Sequence, residues 1–342
     1  FGDAGDQNVI KCGSYVGSTV EGLKVNIGWE PQWILFKNTA TTNDWRMFDS
    51  MRGIVTGGND ARFNANDNSS EVTTNNKLDI TPTGFTCEES SPDLNGNGNT
   101  IIYVAIRRPD GYVGKPVELG TSVFAMDTGN NSSTIPAFDS TFAIDFAFQK
   151  QPLSYGDHYT QARLTGTRWM ALNFGTSGSS SANFVSDSNV GWGKSFNSTY
   201  QSWMWKRHTG FDVVCYTGKG SNGDKFSHNL NKVPEMMWVK RREASANDWM
   251  VYHKGLNGGT DPEDYRIILN TNSNEVNDDS IWHDTAPTST DFTLGDSHAV
   301  NQDTKTYMAL LFATTDVSKV GYYDGSNSDQ TITLGFQPRF LL

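Results

Sequence analysis

Along most of the chain apolar positions recur with a period of two, or in short unbroken runs, rather than with the period of a helix. Phe142-Ala143-Ile144-Asp145-Phe146-Ala147-Phe148 sets large apolar residues against small or polar ones, the alternation of a strand with one buried face. Residues 100–106 and 306–312 are apolar at successive positions, which predicts central strands covered on both sides. Clusters of Asn, Gly, Ser, Asp and Thr, such as 176–181 and 270–277, separate these runs and supply turn chemistry. Helical periodicity is nowhere sustained over about twelve residues. The predicted fold class is all-β, made of tandem antiparallel β-sandwich domains of jelly-roll type.

The same pattern returns at domain-sized intervals. Tyr-x-Gly occurs at Tyr15–Gly17, Tyr112–Gly114, Tyr216–Gly218 and Tyr323–Gly325. A proline-led apolar core follows three of these copies, at Pro31, Pro234 and Pro338, and Asn-Asp-Trp recurs at Trp45 and Trp249. Near the end of each unit an aromatic returns, as Tyr103, Trp203 and Tyr307. These anchors divide the chain into repeats at 1–111, 112–210 (divergent) and 211–319, with the start of a fourth at 320–342. Each full repeat is long enough to bury its own core, so the expected body is a string of separate beads. The recurring Trp29, Trp33, Trp45, Trp238 and Trp249 are expected to pack those cores. The last 23 residues are expected to form the opening hairpin of a unit that continues in a longer polypeptide.

Composition narrows the functional classes. Lys and Arg number 27 against 38 acids, a net charge of −11, and the longest basic run is Lys240-Arg241-Arg242. A phosphate-neutralising surface is therefore not expected, and neither nucleic acid nor an anionic membrane is an expected partner. No apolar run approaches the roughly 18 residues of a membrane span. Cys12, Cys87 and Cys215 are too few for a disulfide scaffold and lack zinc spacing; buried free thiols are expected, with a Cys12–Cys87 pair left open.

Candidate chemistry is sparse. Asp93, Asn95 and Asn97 open a calcium-loop pattern, but Val104 stands where its bidentate Glu belongs, so a hairpin loop is the favoured reading and no metal or cofactor is expected. The six histidines, His158, His208, His228, His253, His283 and His298, accompany no nucleophile signature. Acid pairs such as Glu88-Glu89, or Asp284 with Asp291, carry no sign of a shared cleft. Aromatic density in the second unit is the remaining signal. Trp192, Trp203 and Trp205 are not demanded by the repeat, and exposed indole faces stack on sugar rings, which makes them the candidate ligand-binding residues.

Long motifs at 215–220, 232–241, 248–256 and 281–290, with Gly28–Trp33 and Met51–Gly53 in the first unit, resemble a repeat of tail-fibre and other virion structural proteins of marine tailed bacteriophages. The stretches 142–150 and 167–172 are similar to concanavalin-like or laminin-G-like jelly rolls. The resemblance implies a non-enzymatic, extracellular virion surface protein, a tail fibre or related appendage that contacts host surface glycans. It also implies assembly with other virion proteins and with itself, as a trimer. The rival expectations are a secreted bacterial adhesin or filament subunit, a polysaccharide depolymerase, and a capsid decoration protein.

Overall fold

The computed structural model describes residues 9–107, 116–117, 119–243 and 247–342, and it is all-β. The first set of strands is β1 (Ile10–Val16), β2 (Leu23–Asn26), β3 (Trp33–Asn38), β4 (Arg46–Asp49), β5 (Asp60–Asn64), β6 (Val72–Asn75), β7 (Leu78–Thr81), β8 (Gly84–Cys87) and β9 (Thr100–Ile106), with the one-turn helix α1 (Pro92–Asn95) before β9. The second is β10 (Phe124–Thr128), β11 (Phe138–Asp139), β12 (Phe146–Lys150), β13 (Tyr159–Ala162), β14 (Arg168–Ala171), β15 (Ser179–Ser180), β16 (Gly191–Trp192) and β17 (Gln201–Trp205). The third is β18 (Phe211–Thr217), β19 (Asp224–Ser227), β20 (Met236–Arg241), β21 (Met250–His253), β22 (Tyr265–Ile268), β23 (Val276–Asn277), β24 (Asp291–Leu294) and β25 (Thr306–Phe312), with helix α2 (Asp279–Trp282).

Each set forms a six-stranded antiparallel sheet of one topology: β1-β9-β3-β4-β5-β6, β10-β17-β12-β13-β14-β15 and β18-β25-β20-β21-β22-β23. The opening strand lies at the edge beside the closing strand, and the others follow in order. A small sheet, β2-β8-β7, β11-β16 or β19-β24, covers the inner face of each large one. The sandwiched cores gather Ile34, Phe36 and Phe85 in the first unit, Phe138, Trp192 and Met204 in the second, and Tyr216, Phe292 and Tyr307 in the third.

The Tyr-x-Gly anchors of the first and third units have physical causes, whereas the closing-strand aromatics are not equivalent, since the ladders align Tyr307 with Ile101 and Trp203 with Ile102 rather than with Tyr103. Tyr15 and Tyr216 point inward, and their hydroxyls donate to the carbonyls of Leu94 (2.6 Å) and Val300 (2.7 Å), tying the opening strand to the loop before the closing one. Two residues on, a Cβ at Gly17 would lie 2.3 Å from the Gly96 carbonyl oxygen, and one at Gly218 would lie 2.2 Å from that of Gln302. Only glycine permits that approach. Gly129 has the same environment beside Asn197, so the second unit opens with Phe124–Thr128 and Gly129. The Tyr112-Val113-Gly114 copy falls outside the described residues.

Four expectations change. No strand forms within 313–342. The expected hairpin fails for a topological reason: in the complete units the first strand pairs with the last and β2 with β8, so an opening pair of strands has no ladder of its own. Cys12 is exposed, whereas Cys87 and Cys215 are buried, and all three are free. Trp33, Trp45, Trp238 and Trp249 stand outside the cores of their own units.

Finally, the units are not independent beads. The outward faces of the second and third large sheets pack on each other, joining Phe146, Leu164 and Met170 to Phe211, Trp238 and Met308 in one buried cluster. Trp249 belongs to this contact, and its indole N–H donates to the Ala171 carbonyl across it at 2.7 Å. The first unit is tied on by polar contacts. Arg207 grips Glu30 through two bonds of 2.7 and 2.6 Å and lies 3.3 Å from Asp145 and 3.8 Å from Asp212, so one guanidinium joins acids of all three units. Burial opposes its charge, but Glu30, Asp145 and Asp212 hold its pKa well above the usual value. Arg242 of the third unit also donates to the Thr56 carbonyl at 2.8 Å.

Candidate binding surface

The structure separates the three candidate tryptophans. Trp192 is completely buried, donates its N–H to Ser202 Oγ at 3.0 Å and stacks on Phe138, which rules it out as a binding platform. It takes the place held by Phe85 and Phe292, each opposite the equivalent small-sheet strand. The matching Gly84-Phe85 and Gly191-Trp192 were the sequence signal for this.

Trp203 and Trp205 alternate with buried Met204 along β17 and project from the outer face of the second sheet. Phe148 stacks on both, with ring centroids 4.7 Å from Trp203 at 19° and 5.6 Å from Trp205 at 26°. Phe124 packs on Trp205 from the other side at 4.9 Å, and Phe340 closes over Trp205 at 5.4 Å. Trp205 and Phe148 therefore join the margin of the contact with the third unit. Trp203, opposite the exposed Met126, is the partly exposed end of the strip. Lys150, Gln201 and Thr128 continue the same face, and the loop after β12 holds Leu153 and Tyr155 fully in solvent.

The other candidate groups serve local structure. Asp93 pairs with Arg46 at 2.9 Å. Asn95 accepts from the Ser18 N–H and donates to the Val20 carbonyl, both at 2.8 Å, so its amide clamps the loop after β1. Asn301 does the same for the loop after β18, accepting from the Lys219 N–H at 2.9 Å. Among the described residues no group of three or more His, Cys, Asp or Glu side chains is arranged to hold a metal, and no helix is long and apolar enough to cross a membrane. His208, His228 and His253 each accept, through Nδ1, the N–H two residues on, closing a turn. Burial lowers the pKa of all three, that of His208 to about 4. A shallow cavity of about 420 Å³ lies beside Tyr252, but its charges are already matched: Lys254 pairs with Glu235, and Lys232 donates to the Thr314 carbonyl at 3.0 Å.

Fold and surface together define an all-β protein of three homologous two-layer units with an aromatic strip on the second. By comparison with family sequence profiles, the chain belongs to a family described as a domain of unknown function, DUF7483, matched over residues 6–108 and 158–342. The unmatched stretch supplies Phe124, Met126, Phe148, Leu153 and Tyr155. No curated protein and no solved structure matches the chain.

Proposed function

We propose that the chain is a non-enzymatic surface protein of a tailed-bacteriophage particle, a tail fibre or related appendage, that touches host surface glycans with its second unit. The observation that carries the reading is the strip ending in Trp203. Its partly exposed indole is held by Phe148, flanked by Lys150 and Gln201, and adjoined by a loop that exposes Leu153 and Tyr155. An aromatic held rigid by its neighbours stacks on a sugar ring at small entropic cost, and nearby amides and amines bond the hydroxyls. The resemblance of its long motifs to virion structural repeats supports the setting. Several copies on one particle would make weak single contacts sufficient, since linked sites raise apparent affinity about 10²- to 10⁴-fold.

The test is binding of the purified chain to host cells and to extracted host polysaccharide, with Trp203→Ala and Tyr155→Ala as variants. Each is expected to weaken binding at least about tenfold while leaving the melting temperature nearly unchanged. Absence of the chain from purified particles, or wild-type protein that binds no host polysaccharide, would refute the reading.

A further inference from the structure

We propose that the outward face of the first unit's large sheet is a contact surface for the same face of a second copy of the chain. The argument is a comparison of equivalent positions. Ladder registers place Ile10, Cys12 and Ile102 of the first unit where the third has Phe211, Val213 and Met308. Trp45, one residue before β4, matches Trp249, one residue before β21.

In the third unit this face is shut. Phe211 and Val213 are 2% exposed, Met308 and Trp249 not at all, because the second unit's sheet lies on them. In the first unit the same positions are open: Ile10 is 45% exposed, Ile102 and Trp45 are 37% exposed, and Cys12 is exposed. A contiguous apolar sheet face left in water marks an interaction site.

What covers it follows from the fold. The contact between the second and third units shows that this face, in this topology, takes another face of its own kind. Among the described residues both of those faces are already engaged with each other. The face still open is that of the first unit, so its partner comes from another copy, and like on like gives an isologous two-fold pair. The cation on this face, Lys37, paired with Ile102 across the ladder, already donates to the Thr41 carbonyl at 3.1 Å and to that of Asn43, and Ile10, Trp45 and Ile102 are apolar, so charge does not oppose the pairing. The inference is independent of the glycan reading.

The experiment is sedimentation and light scattering of the full chain over a concentration series. Cys12 serves as an internal reporter, because the other two thiols are buried. The expected result is a reversible dimer, with maleimide labelling of Cys12 slowed at least about fivefold at dimer-forming concentrations. Ile102→Lys and Cys12→Asp should each raise the dissociation constant at least about tenfold while melting like the wild type. Both residues lie in solvent in the monomer, so one variant remains informative if the other folds poorly. A monomer at every concentration, or a dimer that survives both substitutions with Cys12 labelling undiminished, would overturn the proposal.

Discussion

Arg207→Met is the sharpest test of whether the three units unfold as one body. The guanidinium makes two bonds to Glu30 and lies within 4 Å of Asp145 and Asp212; Arg207 and both aspartates are buried, and Glu30 is largely so. Methionine keeps much of the stem volume but leaves acids from three units facing one another without their cation. Removing one partner of a buried ion pair costs about 3–5 kcal/mol, because the remaining charge is stranded. If all 342 residues melt together, with about 2 cal/mol/K of unfolding entropy per residue, that loss lowers the melting temperature by about 4–7 °C. Differential scanning calorimetry is the assay, with Glu30→Gln and the double variant completing a cycle. The double variant should cost less than the sum, since the Glu30→Gln change removes a charge that would otherwise be stranded. A shift below about 1 °C, or a thermogram in which one transition moves while others stay, would show that the junction does not couple the units.

Three further outcomes follow from buried groups. Burial, with Glu88 and Asp60 nearby and Arg242 opposing them, pushes Asp79 from 3.8 up to about 8. The folded chain thus holds that proton more tightly than the unfolded one; the stability this contributes is complete below about pH 4 and is lost as pH rises through about 8. Asp79→Asn keeps an acceptor for the Gly57 N–H, and in urea titrations it should remove up to about 1.4 kcal/mol per pH unit from the slope across that window; parallel curves would contradict this. Gly218→Ala drives a Cβ onto the Gln302 carbonyl and should cost about 1–3 kcal/mol, whereas Gly156→Ala, with nothing within 4 Å, should stay within about 0.5 kcal/mol; equal denaturation midpoints would be inconsistent with the close approach. In dilute protein, Trp249→Ala should cost about 3–5 kcal/mol and Trp45→Ala under about 1 kcal/mol, and similar losses would mean that Trp249 does not depend on the second unit.

Strand identity was legible where the ladder and the apolar run coincide, as at Thr100–Ile106 and Thr306–Phe312. It was misplaced where burial occurs without a ladder. Phe142 and Ile144 sink into the second core from irregular backbone, so the apparent strand starts four residues before β12 does. Within the candidate site, Trp203 and Trp205 were found because the second unit is dense in aromatics. Trp192 misled because its equivalents are phenylalanines, and matching tryptophans alone hid the shared Gly-aromatic step. Gly129 went unnoticed for a similar reason: two residues are too few to mark a close approach, and Gly129 satisfies it without the tyrosine.

The deeper ambiguity lies in strands that are apolar on both faces. Such a pattern means that something covers the outer face, but it does not say what. Asn-Asp-Trp occurs twice, before β4 and before β21, and the local structure it specifies is the same. Trp249 nevertheless lies under a neighbouring sheet while Trp45 lies in water. The difference is set by which sheet docks where, through Arg207, Arg242 and the packing around Trp238, and those contacts join segments distant in sequence. A repeat that pairs two of its outer faces and leaves the third open therefore carries the same apolar code three times. The unsatisfied copy of that code, centred on Ile102 and Cys12, is where the chain's chemistry calls for one more surface than its described residues provide.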